Sequence, residues 1–168
     1  MHMLLSKKIK GVNIMNTENT NWSQSVAGVV IKDNKVLLAR HTYGSGNGKL
    51  IIPGGYLNFG ETPQDAVKRE YLEETNVVVE PEEILGIRFN MHDWYIVFRA
   101  RYISGEAKSD NDENSEVVWI EVEEALVRED VPELTKKMIQ SAISGKKGLE
   151  YKEFTSNAKN GPYSLYCI

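Results

Sequence analysis

Glu70, Glu73 and Glu74 stand together in residues 69–76, the stretch REYLEETN. In a helix turning about 100° per residue, the three carboxylates fall within roughly one 100° sector. Glutamates spaced by three and four repel by roughly 0.2–0.5 kcal/mol per pair. They also sit in the last turn, where the helix carries partial negative charge and favours Lys, Arg or His. Two chemistries fit this pattern. One is a solvated acidic face, which is common on helices. The other is a site for hard divalent cations, whose preference for oxygen ligands turns the repulsion into coordination. Arg69 lies only about 40° around the helix from Glu73 and can orient that carboxylate through charge-assisted hydrogen bonds. Gly54 and Gly55 bring bare backbone just ahead of the helix, where a carbonyl can join the carboxylates as a ligand and a phosphate can approach closely.

The elements that must hold these residues follow from local signals. Thr62 and Pro63 open the helix, one as cap and one at the first helical position, with Asp65 adding favourable charge; the helix should run to about Thr75. Upstream, QSVAGVVIKDNKVLLAR gives two aliphatic runs around Asp33–Asn34, a pair suited to a tight hairpin. HTYGSGNGK carries neither the P-loop nor the dinucleotide glycine spacing and reads as a plain loop. KLIIPGGYLNFGE reads as a short strand broken at Pro53–Gly54–Gly55. Downstream, NVVVE, ILGIRF, WYIVFRARYI and EVVWIEV read as strands, with SGEAKSDNDENSE as an acidic loop. PELTKKMIQSAIS closes the domain as an amphipathic helix with Leu134, Met138, Ile139 and Ala142 on its apolar face. This order is not the strict alternation of a parallel sheet, so an α/β (α+β) fold with a mixed sheet packed between helices is expected. Residues 1–21 have too little apolar periodicity to fix an element and read as an N-terminal arm, 22–144 as the domain, and 145–168 as a C-terminal tail of undetermined structure.

Composition narrows the function classes. With 41% hydrophobic and 26% charged residues the chain has an ordinary globular profile. A formal charge of −4 argues against an electrostatic grip on duplex nucleic acid. No apolar run reaches the roughly 20 residues that cross a bilayer, and MHMLLSKKIK lacks an apolar core and cleavage site, so a cytoplasmic protein is expected. The single cysteine, Cys167, cannot form an internal disulfide.

Residues 55–77, GYLNFGETPQDAVKREYLEETNV, resemble the signature box of the Nudix hydrolases (MutT-like family). That box is Gly, five residues, Glu, seven residues, Arg-Glu, an apolar residue, any residue, Glu-Glu, any residue, Gly, then an apolar residue. Gly55, Glu61, Arg69, Glu70, Glu73 and Glu74 stand at the required spacing. At a chance of roughly one in fifteen per match, six together arise about once in ten million. Asn76 replaces the final glycine, where a left-handed conformation after the helix favours asparagine next. Tyr71 is a large side chain at an apolar position, expected to bury its ring while its hydroxyl reaches a polar edge.

The resemblance implies a Nudix-type α/β/α sandwich that cleaves a nucleoside diphosphate linked to another moiety, using Mg2+ or Mn2+. Glu70, Glu73 and Glu74 would be metal ligands with the Gly54 carbonyl, and Glu61, Arg69 and Gly55 would support them. The general base would be Glu73, Glu74 or a carboxylate from the loop before the tryptophan-bearing strand, with Glu113 the first choice there and Glu116 the second; each is also simply a solvated loop acid. Substrate contacts are sought in Trp94 and Tyr95, which core packing on a strand also explains. His41 and His92 read as surface polar residues. The substrate is expected to be a small-molecule nucleotide: a nucleotide sugar such as ADP-ribose, or a (deoxy)nucleoside triphosphate. The proline that marks ADP-ribose-specific members downstream of the box is absent. A homodimer is compatible with the sequence. The competing reading is a Nudix-fold sensor that binds a nucleotide without hydrolysing it, although a pure binder has no need of every box carboxylate.

Overall fold

The computed structural model describes residues 23–89, 93–153 and 165–167. The expected arm and His92 lie outside them.

The first hairpin joins β1 (Ser23–Lys32) to β2 (Lys35–His41). Asp33 and Asn34 take φ of 49° and 60°, the left-handed pair that a two-residue turn between twisted strands requires. Six consecutive residues of β1, Ser25 to Val30, are buried, the mark of a strand covered on both faces. Two short strands follow: β3 (Leu50–Ile51) lies against β2, and β4 (Gly54–Tyr56) lies against β1.

Helix α1 (Pro63–Thr75) begins and ends where its local chemistry directs. Thr62 stays extended and its Oγ1 accepts from the Asp65 N–H (3.3 Å). Asn76 ends the helix at φ 58°, and its N–H donates to the Leu72 carbonyl (3.0 Å). The long hairpin of β5 (Val78–Phe89) and β6 (Asp93–Ser104) comes next, then β7 (Asn114–Glu121), which pairs with β2. The short α2 (Val122–Val127) and α3 (Glu133–Ile143) follow. In the tail, β8 (Leu149–Tyr151) pairs with β5, and β9 (Tyr166–Cys167) pairs with β8.

Among the described residues these strands form one nine-stranded sheet. It is mixed, because β1 and β6 run parallel from Ser23↔Asp93 to Val30↔Ala100, while the other pairs are antiparallel. Side-chain alternation sends Val26, Val30, Leu37 and Phe98 toward α1, where they pack on Ala66, Val67 and Tyr71. Ala27, Val29, Val36, Leu38 and Val97 face the other way, onto Ala125 of α2 and Ile139 of α3. The result is the expected α/β/α sandwich.

Two details bear on the helix that carries the acids. Tyr71 is fully buried and its hydroxyl donates to the Gly28 carbonyl, so its ring packs while its polar end is satisfied. A Cβ on Gly28 would lie 2.9 Å from the Tyr71 ring, which fixes how closely α1 can press on β1. On α3 the buried residues are Thr135, Ile139 and Ala142. Leu134 is 37% exposed and lines the cleft described below, so the expected apolar face is rotated toward Thr135.

Candidate active site

The carboxylates of α1 are delivered to β4 at different depths. Glu74 is innermost, only 2% exposed. Its Oε2 accepts from the Gly54 N–H (3.2 Å), and its Oε1 is buried with no hydrogen-bond partner. Burial, followed by the charge of Glu70, pushes the Glu74 carboxyl up to about 8. Glu70 is half-buried and is also raised, first by burial, against the opposing pull of Arg69. Glu73 lies outermost, its side chain 60% exposed.

Arg69 ties this end of the helix together. Its Nη1 donates to Glu70 Oε1 (2.7 Å) and Glu73 Oε2 (3.0 Å), and its Nε and Nη2 donate to the two oxygens of Glu61 (2.8 and 3.0 Å). Nη2 also reaches the Tyr56 carbonyl (3.0 Å). Arg69 therefore holds Glu61 below the usual carboxylate range. This guanidinium clamps the loop before α1, strand β4 and two carboxylates into one unit.

The two glycines admit the carboxylates. A Cβ on Gly55 would lie 2.5 Å from the Glu70 carboxylate, so only bare backbone leaves room for it there. Gly54 has φ 157°, and a Cβ on it would come 2.0 Å from the Val26 carbonyl oxygen. Gly54→Ala should therefore force β4 off β1 and lower unfolding stability by about 2–4 kcal/mol in denaturant titration; a loss below about 0.5 kcal/mol would contradict this packing.

The donor set suits a hard divalent cation. A buried carboxylate oxygen without a donor is costly to ionise unless a cation arrives, and Glu74 Oε1 is such an atom. In this structure Arg69 takes up Glu70 and Glu73 instead, and among the described residues no three acids or histidines are gathered into a closed ligand cluster.

An open cleft of about 690 Å³ begins at Gly54, Gly55 and Glu70. The structure separates the two loop carboxylates. Glu113 lines the cleft, where the Tyr43 hydroxyl donates to its Oε2 (3.0 Å). Burial and this bond push the Tyr43 hydroxyl up to about 12. Glu116 instead pairs with Arg40 (2.8 Å) over a different cavity, because strand register sets it opposite Arg40.

Three expectations change here. Trp94 and Tyr95 are both candidates for substrate contact or for core packing, but successive residues of a strand face opposite ways. Tyr95 lines the cleft, whereas Trp94 stands 43% exposed, edge-on to Phe89 (5.2 Å, 84°). His41 is no surface residue: it is half-buried in the cleft wall, its Nε2 is buried without a partner, and burial lowers its pKa. The glycine-rich stretch forms a 3-10 turn at Gly44–Gly46 that also walls the cleft. Ser25, Arg88 and Asp93, which sequence reading missed, line the same cleft. No local signal reveals them, because β1 and β6 meet across 68 residues of chain.

The NUDIX domain model matches residues 22–142. The chain is 35% identical over 125 residues to a MutT-like protein of Streptomyces ambofaciens, covering 73% of this chain and 78% of that one. It is also 35% identical over 94 residues to an ADP-ribose pyrophosphatase of Methanocaldococcus jannaschii, covering 52% of this chain and 56% of the relative, so it spans only about half that protein's length. A solved NUDIX hydrolase from Nitrosomonas europaea superposes with a TM-score of 0.67 at 25% identity, over 76% of this chain and 92% of that one. A mixed sheet between helices, with an acidic helix end set against a glycine strand, defines the architectural class. The chain belongs to the Nudix hydrolase family.

Proposed function

We propose that this enzyme hydrolyses the diphosphate linkage of a nucleoside diphosphate derivative with the help of magnesium or manganese. The observation that carries the reading is the buried, unpartnered Glu74 Oε1, on the carboxylate that accepts from Gly54, a residue of the cleft lining. Glu70, Glu74 and the Gly54 carbonyl would hold the cation, with Glu73 at the outer edge. When bound, such a cation neutralises diphosphate oxygens and acidifies water for attack at phosphorus. Arg69 positions Glu70 and Glu73 and keeps Glu61 ionised beneath them. Glu113, held in the cleft wall by Tyr43, is the carboxylate that takes the proton of the attacking water. The products are a nucleoside monophosphate and the other phosphorylated fragment.

A cleft of about 690 Å³ lies within the roughly 300–1,000 Å³ range of small-molecule sites. A nucleotide sugar such as ADP-ribose is supported by the name of the Methanocaldococcus relative, and a (deoxy)nucleoside triphosphate is the other leading class. The deciding measurement is phosphate-containing product released from a panel of nucleotide sugars and triphosphates with magnesium, with manganese and with chelator. Cleavage of at least one member should require the metal. Cleavage that is equally fast with chelator, or none with either metal, would remove this reading.

A further inference from the structure

This inference rests on the hydrolase reading and concerns the part of the cleft lined by Ser25, Tyr56 and Tyr95. Strand register builds a second group of side chains there that the hydrolytic step does not use. Tyr56 of β4 and Tyr95 of β6 are both paired with Ser25 of β1, and Arg88 of β5 is paired with Tyr95. The four residues thus form one lateral row across four neighbouring strands, and all of them line the cleft. At about 4.8 Å per strand, Tyr56 and Tyr95 stand roughly 10 Å apart, on either side of the small Ser25. Asp93 lies two positions before Tyr95, on the same face of β6.

Asp93 is fixed by its neighbours. Ser25 Oγ donates to both its oxygens (2.9 and 3.1 Å), and Arg88 Nη2 donates to Oδ2 (2.8 Å). Arg88 is itself held over the Tyr95 ring, 5.3 Å from its centroid. The Asp93 side chain is 14% exposed and belongs to the cleft lining.

We propose that this row is a nucleobase subsite, in which a purine lies over Ser25 between Tyr56 and Tyr95 and Asp93 accepts a hydrogen bond from the base's amino group. Charge selects this occupant over a phosphate. Arg88 is neutralised by Asp93, so the row offers no net positive charge to an anion, and Glu70 and Glu113 line the same cleft. A neutral ring with N–H donors is the complement of tyrosine faces beside a fixed carboxylate. The phosphates then extend toward Glu70, Glu74 and Gly54.

The test uses the full chain, loaded with magnesium, and the adenine, guanine and hypoxanthine forms of whichever substrate the panel yields. Hypoxanthine carries an oxo group in place of adenine's 6-amino group and a hydrogen in place of guanine's 2-amino group, so against either base it lacks the amino donor that faces Asp93. The wild type should therefore disfavour hypoxanthine against one amino-bearing purine by about tenfold or more in KM. Asp93→Asn, which presents both a donor and an acceptor, should shrink that preference below about threefold. Ser25→Ala should weaken the preference in the same direction without changing charge, and decides the matter if Asp93→Asn does not fold. Tyr56→Ala, at an exposed position, should raise KM for all three bases alike. A wild type indifferent to the base, or an Asp93→Asn effect equal on all three, overturns the subsite. Equilibrium binding of AMP, GMP and IMP separates the two readings: base preference in binding without hydrolysis sinks the hydrolase and spares the subsite, and hydrolysis without base preference does the reverse.

Discussion

Replacing Glu74 by glutamine should abolish most hydrolysis and, at alkaline pH, raise the melting temperature of the metal-free protein. The two effects have one cause. Glu74 is 2% exposed, and its Oε1 has no donor. Above about pH 8 it is charged, next to Glu70. Glutamine removes that buried charge, keeps an oxygen for the Gly54 N–H, and brings an amide that can donate toward Glu70. A neutral amide, however, ligates hard cations poorly. Turnover should therefore fall by about a thousandfold, the order seen when one charge-stabilising group is lost from a reacting centre. Stability and activity moving in opposite directions is what separates a ligand from a structural acid, whose loss would lower both. Thermal melts with chelator and initial rates with magnesium, on the same preparation, measure the pair. A variant that is less stable without metal at pH 9, or that keeps its metal-dependent rate, would end the assignment of Glu74 as a ligand.

Much of the fold was legible because its signals act within one or two turns of chain. Thr62, Pro63 and Asp65 mark the start of α1, and Asn76 marks its end with the left-handed conformation its type tolerates. The Asp33–Asn34 hairpin is equally local. What was not legible depends on pairing between distant segments. The parallel register of β1 with β6 brings Ser25 to Tyr95, and nothing near either residue announces it. The short β8 and β9 likewise join the sheet only by edge pairing with β5 and with each other.

The site divides along the same line. The spacing of Glu70, Glu73 and Glu74 placed them on one helix sector, but not their order of depth, which depends on where α1 presses on β1 through Tyr71 and Gly28. Glu113 and Glu116 are three residues apart and chemically alike. Only the register of β7 against β2 sends one to the cleft and the other to Arg40. Strand alternation alone separates Trp94 from Tyr95, so only one of the two can face a ligand in the cleft.

The metal-free protein should lose stability as pH rises from about 5 to about 8, and magnesium should restore it by an amount that grows over the same range. The sign follows from Glu74, whose carboxyl is raised from 4.5 to about 8 in the folded chain. A group raised on folding binds its proton more tightly in the native state. Its contribution is fully present below the unfolded value near 4.5 and disappears as pH climbs through about 8. That gap corresponds to at most roughly 5 kcal/mol at about 1.4 kcal/mol per tenfold change in affinity. Glu70, also raised, adds in the same direction. Glu61, held low by Arg69, acts oppositely: its contribution is present above the unfolded value and is lost as pH falls through its lowered one. Metal-free stability should thus peak near the acid end of this window, with Glu61 setting the fall below it and Glu74 the fall above it. A cation binds the ionised carboxylate and competes with the proton, so the melting shift produced by magnesium should be small at pH 5 and large at pH 8. Melting curves at fixed ionic strength across pH 4.5 to 9, with magnesium and with chelator, trace both limbs. A magnesium shift independent of pH, or a metal-free stability that rises toward pH 8, would mean that Glu74 is not the acid that couples folding to the metal.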